Sequence, residues 1–352
     1  MQFKYLTIQQ TPTNQIENLL KANVIGTPGL SMLYQHMGVD LKLYNIAKPH
    51  FITVKRNEKV IGTCCFCERD FQGSAGFYVR YFAFVNEFRI KGIPYPKNKE
   101  KTSIIRSEIK ALLNGSDFNV NAQSNFFHYA YVDPRNPRSA NVCEEFGFVP
   151  IRKYTTRVFS RIFPKRHLDL EIKEINSSSD KIKKLLENFY KDYNHFSCEN
   201  LDKTYYYVEN GAGKVIAGVQ VNADAWRVLS LPGKYGKVLL KAFGVTLFLS
   251  RLLSKHFNFL AVEGIYFTAG HEHVFEKLLE KLLYQYKLHT AIMVVDNNSQ
   301  LYEFTNKIDL GWLAKLSPEV HGDVIVRYQT LSDNFIATDK AKPCYISVHD
   351  VS

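Results

Sequence analysis

The chain has 352 residues, a formal net charge of +11 and a pI near 9.2. Apolar residues make up 45% and charged residues 22%, which excludes a low-complexity or disordered chain and leaves room for two cored domains. No apolar run reaches the roughly 18 residues of a membrane span, and the lysines are scattered without an arginine-rich arm, which suits an anionic ligand better than nucleic acid.

The opening MQFKYLTIQQTPTNQ has no signal-peptide pattern. PTNQIENLLKANV predicts a first helix. HFITVKRNEKVIGTCCFC (50–67) reads as strand, polar turn, strand. Cys64 and Cys65 in it would face opposite sides of a sheet. No Cys or His pair follows at zinc spacing, so the thiols are expected free, in the reduced cytoplasm. GFYVRYFAFVNEF is the next strand. After it come Arg89-Ile90-Lys91-Gly92-Ile93-Pro94, then Pro96 and a lysine cluster. TSIIRSEIKALLNG predicts a helix with Ile104, Ile105, Ile109, Leu112 and Leu113 on one face and Gly115 as its cap. FFHYAYVDPRNPRSANVCEEFGF (126–148) is a strand, then a helix capped by Asn136, begun by Pro137 and ended by Gly147.

Past IFPKRHLDL the same order returns. SSSDKIKKLLENFYKDY predicts a helix and TYYYVENGAGKVIAGVQV (204–221) a hairpin. The apolar stretch 238–253, broken by Lys241 and Arg251, predicts a buried helix. LAVEGIYFTAG is a strand, HEHVFEKLLEKLLYQY a helix, and TAIMVVDNNSQLYEFTNKIDLGW (290–312) a strand and short helix. The matching pieces recur at a nearly constant offset of roughly 160 residues. The sequence therefore predicts an α/β (mixed α+β) fold in two tandem units, 1–165 and 166–352.

This order, with NPRSANVCEEFGF as its most specific piece, resembles the GCN5-related N-acetyltransferase superfamily. The resemblance implies two acyl-CoA N-acyltransferase-like domains, each a mixed sheet with a splayed central pair: 78–85 with 127–132, and 260–267 with 290–295. The gap between such strands admits the pantetheine arm. The family's pyrophosphate loop ends in Gly or Ala, whereas Arg89–Pro94 ends in Pro, which has no N–H to donate. Either phosphate contacts move to Lys99, Lys101 and Thr102, with Asn136 and Arg138, or this half no longer binds CoA and the loop is structural. In the second half the turn with Thr268, Gly270 and His271, plus Asn298, would serve instead. His271 and His273 do not share a helical face, which argues against metal.

Acyl transfer needs a base for the amine and an acid for the leaving thiolate. Tyr302 stands where the family's acid tyrosine commonly lies, and Glu263, among apolar neighbours, is the candidate base. In the first half Cys143 and Glu87 hold the weaker equivalent positions. The implied activity is N-acetyl transfer from acetyl-CoA to a small-molecule or peptide amine. The alternatives are a long-chain acyl or aminoacyl transferase on the same fold, or a degenerate binding module. Acceptor, oligomeric state and the catalytic half stay open.

Overall fold

Apolar alternation turns each hairpin into paired strands, and within each half the hairpin is followed by the expected strand, helix and strand. The structure is a computed structural model. It describes residues 3–351 apart from 57, 72–73, 86–103, 116–124, 199–200, 247, 317–318 and 330. The first half supplies β1 (Leu6–Gln9), β2 (Leu33–His36), β3 (Pro49–Arg56), β4 (Lys59–Phe71), β5 (Ser74–Phe84), β6 (Phe126–Val132) and β7 (Val149–Ser160). The second supplies β8 (Lys173–Asn176), β9 (Thr204–Glu209), β10 (Val215–Ser230), β11 (His256–Phe267), β12 (Thr290–Asp296) and β13 (Val320–Gln329). The helices of the first half are α1 (Asn14–Lys21), α2 (Val39–Leu43), α3 (Ile104–Leu113) and α4 (Pro137–Glu145). Those of the second are α5 (Asp180–Phe189), α6 (Gly236–Val245), α7 (Leu249–Leu252), α8 (Glu272–Tyr286), α9 (Gln300–Thr305), α10 (Trp312–Leu316), α11 (Asp333–Ala341) and α12 (Val348–Val351).

Local signals explain several boundaries. Asn136 caps α4 by accepting from Ser139 N–H, Pro137 opens the helix, and Gly147 beyond it has φ +82°. Helix α8 buries Val274, Phe275, Leu278, Leu279, Leu282 and Leu283 at helical spacing. Each such side chain contributes roughly 1.5–3 kcal/mol of burial.

The two expected sheets are one. The strand order is β1-β3-β4-β5-β6-β13-β7-β12-β11-β10-β9-β8, a continuous sheet with β2 paired to β10. The halves exchange their last strands. β7 pairs with β12 from Thr290↔Ser160 to Asp296↔Tyr154, and β13 pairs with β6 from Asp323↔Val132 to Gln329↔Phe126. β7 and β13 also pair with each other, so no sheet edge is left exposed where the halves meet. One apolar cluster crosses that seam, joining Phe51 and Tyr129 of the first half to Phe259, Val294 and Ile346 of the second.

The stretch 238–253 is not the buried helix its composition predicts. It forms α6 and α7, in which only Gly236, Leu240 and Leu252 are buried, while Val238, Leu239, Val245 and Phe248 are exposed. Its apolar residues outnumber the positions that one packed face can take. No described helix is long and apolar enough to cross a membrane.

Candidate functional site at two opened strand pairs

Each half contains one parallel pair that begins together and then parts. In the first half β5 and β6 pair from Ala75↔Phe126 to Tyr78↔Tyr129 and no further. In the second, β11 and β12 pair only at Leu260↔Ala291 and Ala261↔Ile292. Both openings are accompanied by a bulge on the longer strand. The β4–β5 register shifts between Thr63 and Cys65, opposite Tyr81 at φ +56°. The β10–β11 register shifts between Gly218 and Gln220, opposite Gly264 at φ +55°. Glycine adopts that backbone readily, whereas Tyr81 bears a strain of roughly 1–3 kcal/mol. A bulge leaves an extra backbone residue outside the ladder and bends the strand away from its neighbour. Arg80 and Glu263, each just before the left-handed residue, hold equivalent places.

The second opening is filled by the chain's own last segment. The Tyr345 hydroxyl accepts from Gly264 N–H at 3.1 Å and donates to Glu263 Oε2 at 2.7 Å. Glu263 Oε1 accepts from Ser347 Oγ at 2.8 Å and from His349 N–H at 2.7 Å. Asp296 accepts from Cys344 N–H at 2.9 Å and from Asn298 N–H at 2.8 Å. Tyr190 and Tyr205 donate to the bulge carbonyls of Ile265 and Gly264. What remains is a cavity of about 10 Å³, room for one water at most. Burial drives the Glu263 carboxyl up to about 7, although the His349, Tyr345 and Ser347 donors oppose the rise.

The same segment ends beside the first opening. Arg69 grips Asp350 through two bonds of 2.7 Å and also donates to the Tyr129 hydroxyl at 2.8 Å. Tyr78 donates to the Asp350 carbonyl, and Arg80 to the His349 carbonyl. Burial raises the Asp350 carboxyl, but Arg69 and Arg80 outweigh it and hold the group below its ordinary value. Residues 344–350 are thus clasped by a carboxylate from one half and two guanidiniums from the other. The fork of the first opening is lined by Tyr78, Tyr129, Arg69 and Arg80, all buried.

Comparison with solved structures bears on this geometry. No protein-family model matches the chain, and no curated protein sequence matches it. N-myristoyltransferase from Saccharomyces cerevisiae, solved with bound myristoyl-CoA, superposes at a TM-score of 0.54 and 9% identity, covering 94% of this chain and 84% of that one. A second structure of that enzyme, with myristoyl-CoA and inhibitors, gives 0.55 at 9% identity over 94% and 82%. This chain has the N-myristoyltransferase fold. The resemblance to the GCN5-related N-acetyltransferase superfamily therefore holds at the level of fold. A GCN5-related N-acetyltransferase from Sphaerobacter thermophilus matches 80% of each chain at 10% identity, but at a TM-score of 0.42 it adds no weight.

Within the N-myristoyltransferase fold the expected site residues scatter. Lys99, Lys101, Thr102, Glu87 and the Arg89–Pro94 loop lie outside the described residues. Asn136 spends its side-chain oxygen on Ser139 N–H, and Arg138 lies in the first turn of α4, at the end of β6. Thr268 N–H donates to Ile216 O, its buried hydroxyl has no hydrogen-bond partner among the described residues, and Gly270 turns at φ +84° into His271, the cap of α8. Tyr302 lies on α9 with the Arg157 guanidinium 4.5 Å from its ring centre. Cys143 is half-buried against the first-half core. Among the described residues no group of three or more His, Cys, Asp or Glu could hold a metal.

Sequence reasoning missed Arg69, Arg80, Asp350 and Tyr345. The signal was clearest for Arg80, which stands in YVRYF between Val79 and Tyr81; Arg69 lies between two acids in CERDF and Asp350 beside His349 in VHDV. Buried charges in such company must be paired.

Proposed function

We propose that the chain is an acyl-CoA-dependent N-acyltransferase whose donor lies in the first opening, between β5 and β6. The observation that carries this reading is the asymmetry of the two openings: Tyr345 occupies the second, on the Gly264 N–H and Glu263. In the first, the bulge at Tyr81 and Phe82 would offer backbone N–H groups to the acyl oxygen as negative charge develops there. The amine nitrogen would attack the thioester carbon, the C–S bond would break, and the amine proton would end on the departing thiol. On this reading Glu263 fastens the last segment and is not the base. Tyr302, tied to the second half, is not the acid. The amine acceptor is a small molecule or peptide, the setting is the cytoplasm, and 1–165 and 166–352 are duplicated units.

Acetyl-CoA is the simplest donor. A long-chain donor is the second reading, favoured by the likeness to an enzyme solved with myristoyl-CoA. Melting curves with CoA, acetyl-CoA and myristoyl-CoA test both. A ligand at a hundred times its dissociation constant adds about 2.7 kcal/mol. Stabilisation by acetyl-CoA beyond CoA favours the first donor, and by myristoyl-CoA alone the second. No stabilisation by any of the three counts against the enzyme.

A further inference from the structure

Helix α6 stands on the surface with little beneath it. Gly236 and Leu240 are buried and Phe243 is half-buried, and these three form its inner face. Val238, Ala242 and Val245, at i, i+4 and i+7, form a row on the far side with Leu239 beside it. These residues are exposed, Val245 by 85%. Tyr235 before the helix and Phe248 after it extend the row and are also exposed. A helix normally turns its apolar row inward. Here that row points to water.

Basic groups flank it. Lys234, Lys237 and Lys241, at i, i+3 and i+7, form a second exposed row next to the apolar one. At the other end the Phe248 ring meets exposed Phe163 edge-on at 5.8 Å, and the Arg251 guanidinium lies 4.8 Å from the Phe163 ring centre. Arg251 in turn lines an open cavity of about 250 Å³. Its other polar walls include Ser254, His256, Lys287 and His289. An apolar ridge, a lysine row and a basic polar cavity thus follow one another along one surface.

We infer that this surface docks the protein on an anionic lipid bilayer. The apolar row and aromatic ends would enter the headgroup boundary. Lys237, Lys241 and Arg251 would meet lipid phosphates, one of which the cavity could receive. Charge complementarity selects this occupant: a second copy would bring lysine row against lysine row, and the chain as a whole carries +11. An exposed amphipathic helix with lysines beside its apolar row is the usual form of an interfacial anchor. The inference is independent of the acyl donor.

Vesicle co-sedimentation of the full chain tests it. Vesicles of phosphatidylcholine with roughly one-third phosphatidylserine should bind the protein, more weakly as salt rises, and pure phosphatidylcholine should bind it poorly. A basic residue near such a surface is worth roughly fivefold in binding, so Lys237→Gln with Lys241→Gln should weaken it about 25-fold. Val238→Glu with Val245→Glu should abolish binding while the melting temperature stays within a degree or so, since both side chains are exposed. Absence of binding to anionic vesicles overturns the inference. So does binding that neither pair of substitutions changes. Stabilisation by inorganic phosphate without vesicle binding would make the cavity a free-anion site and also overturn it. An oligomer that Val245→Glu converts to monomer would make the ridge a self-association face and overturn it as well.

Discussion

Replacing Glu263 with Gln should make the protein more stable than the wild type at pH 8. The carboxyl is fully buried and pushed from 4.5 to about 7, chiefly by loss of water. Its folded value lies above its unfolded one, so between the two the folded state binds the proton more tightly. Stability therefore falls as pH rises from about 4.5 to about 7 and levels off above that. The shift corresponds to about 3 kcal/mol. Gln can reproduce the protonated acid here. Its carbonyl would accept from Ser347 Oγ and His349 N–H, and its amide would donate to the Tyr345 hydroxyl. The variant should lack this one pH-dependent loss while keeping the geometry. Urea denaturation of both proteins at pH 5 and pH 8 measures it, because every other titration cancels in the difference. The variant should gain about 2–3 kcal/mol on the wild type between those conditions. A difference that stays level, or moves the other way, would refute a buried carboxylate bearing an uncompensated burial cost.

Arg69→Met leaves Asp350 buried without its two short bonds and with Arg80 at 3.6 Å. It should cost about 3–5 kcal/mol and open the last segment to limited proteolysis, and adding Asp350→Asn should recover part of the loss. Gly264→Ala forces a side chain into φ +55° and to 3.1 Å from Leu201, which should cost roughly 1–3 kcal/mol in a denaturation curve. Tyr81→Gly at the equivalent bulge should be far milder. His36 and His128, both lowered to about 3 by burial, stay neutral in the fold. Stability should drop as pH falls below about 6.5, the unfolded value, and His128→Gln should reduce that slope. Tyr302→Phe should keep most turnover, and a loss of roughly a hundredfold or more would return the acid role to Tyr302.

The repeated order of the elements was legible because it depends on local patterns: hairpin alternation, helical spacing and the Asn136–Pro137 cap; the two openings were expected only through the resemblance to the acetyltransferase superfamily. The joining of the halves was not. β7 and β13 mix apolar with charged and polar residues in patterns that say nothing about which neighbour they choose, so their exchange lies in tertiary packing. Glu263 was legible as a buried acid, but its partners were not. Tyr345, Ser347 and His349 come from 82 to 86 residues further on, in a segment without hydrophobic periodicity. The outward face of α6 was misread because composition alone cannot separate an apolar row that is packed from one that is exposed.

Hydrogen exchange with and without saturating acyl-CoA tests the central claim most directly, for whichever donor stabilises the protein. Backbone amides at 79–84 and 130–132 should slow on binding. Those at 262–267 and 293–296, where residues 344–349 already fill the opening, should not change. Slowing in the second opening instead, or displacement of 344–349 as the donor enters, would contradict the placement of the donor in the first half.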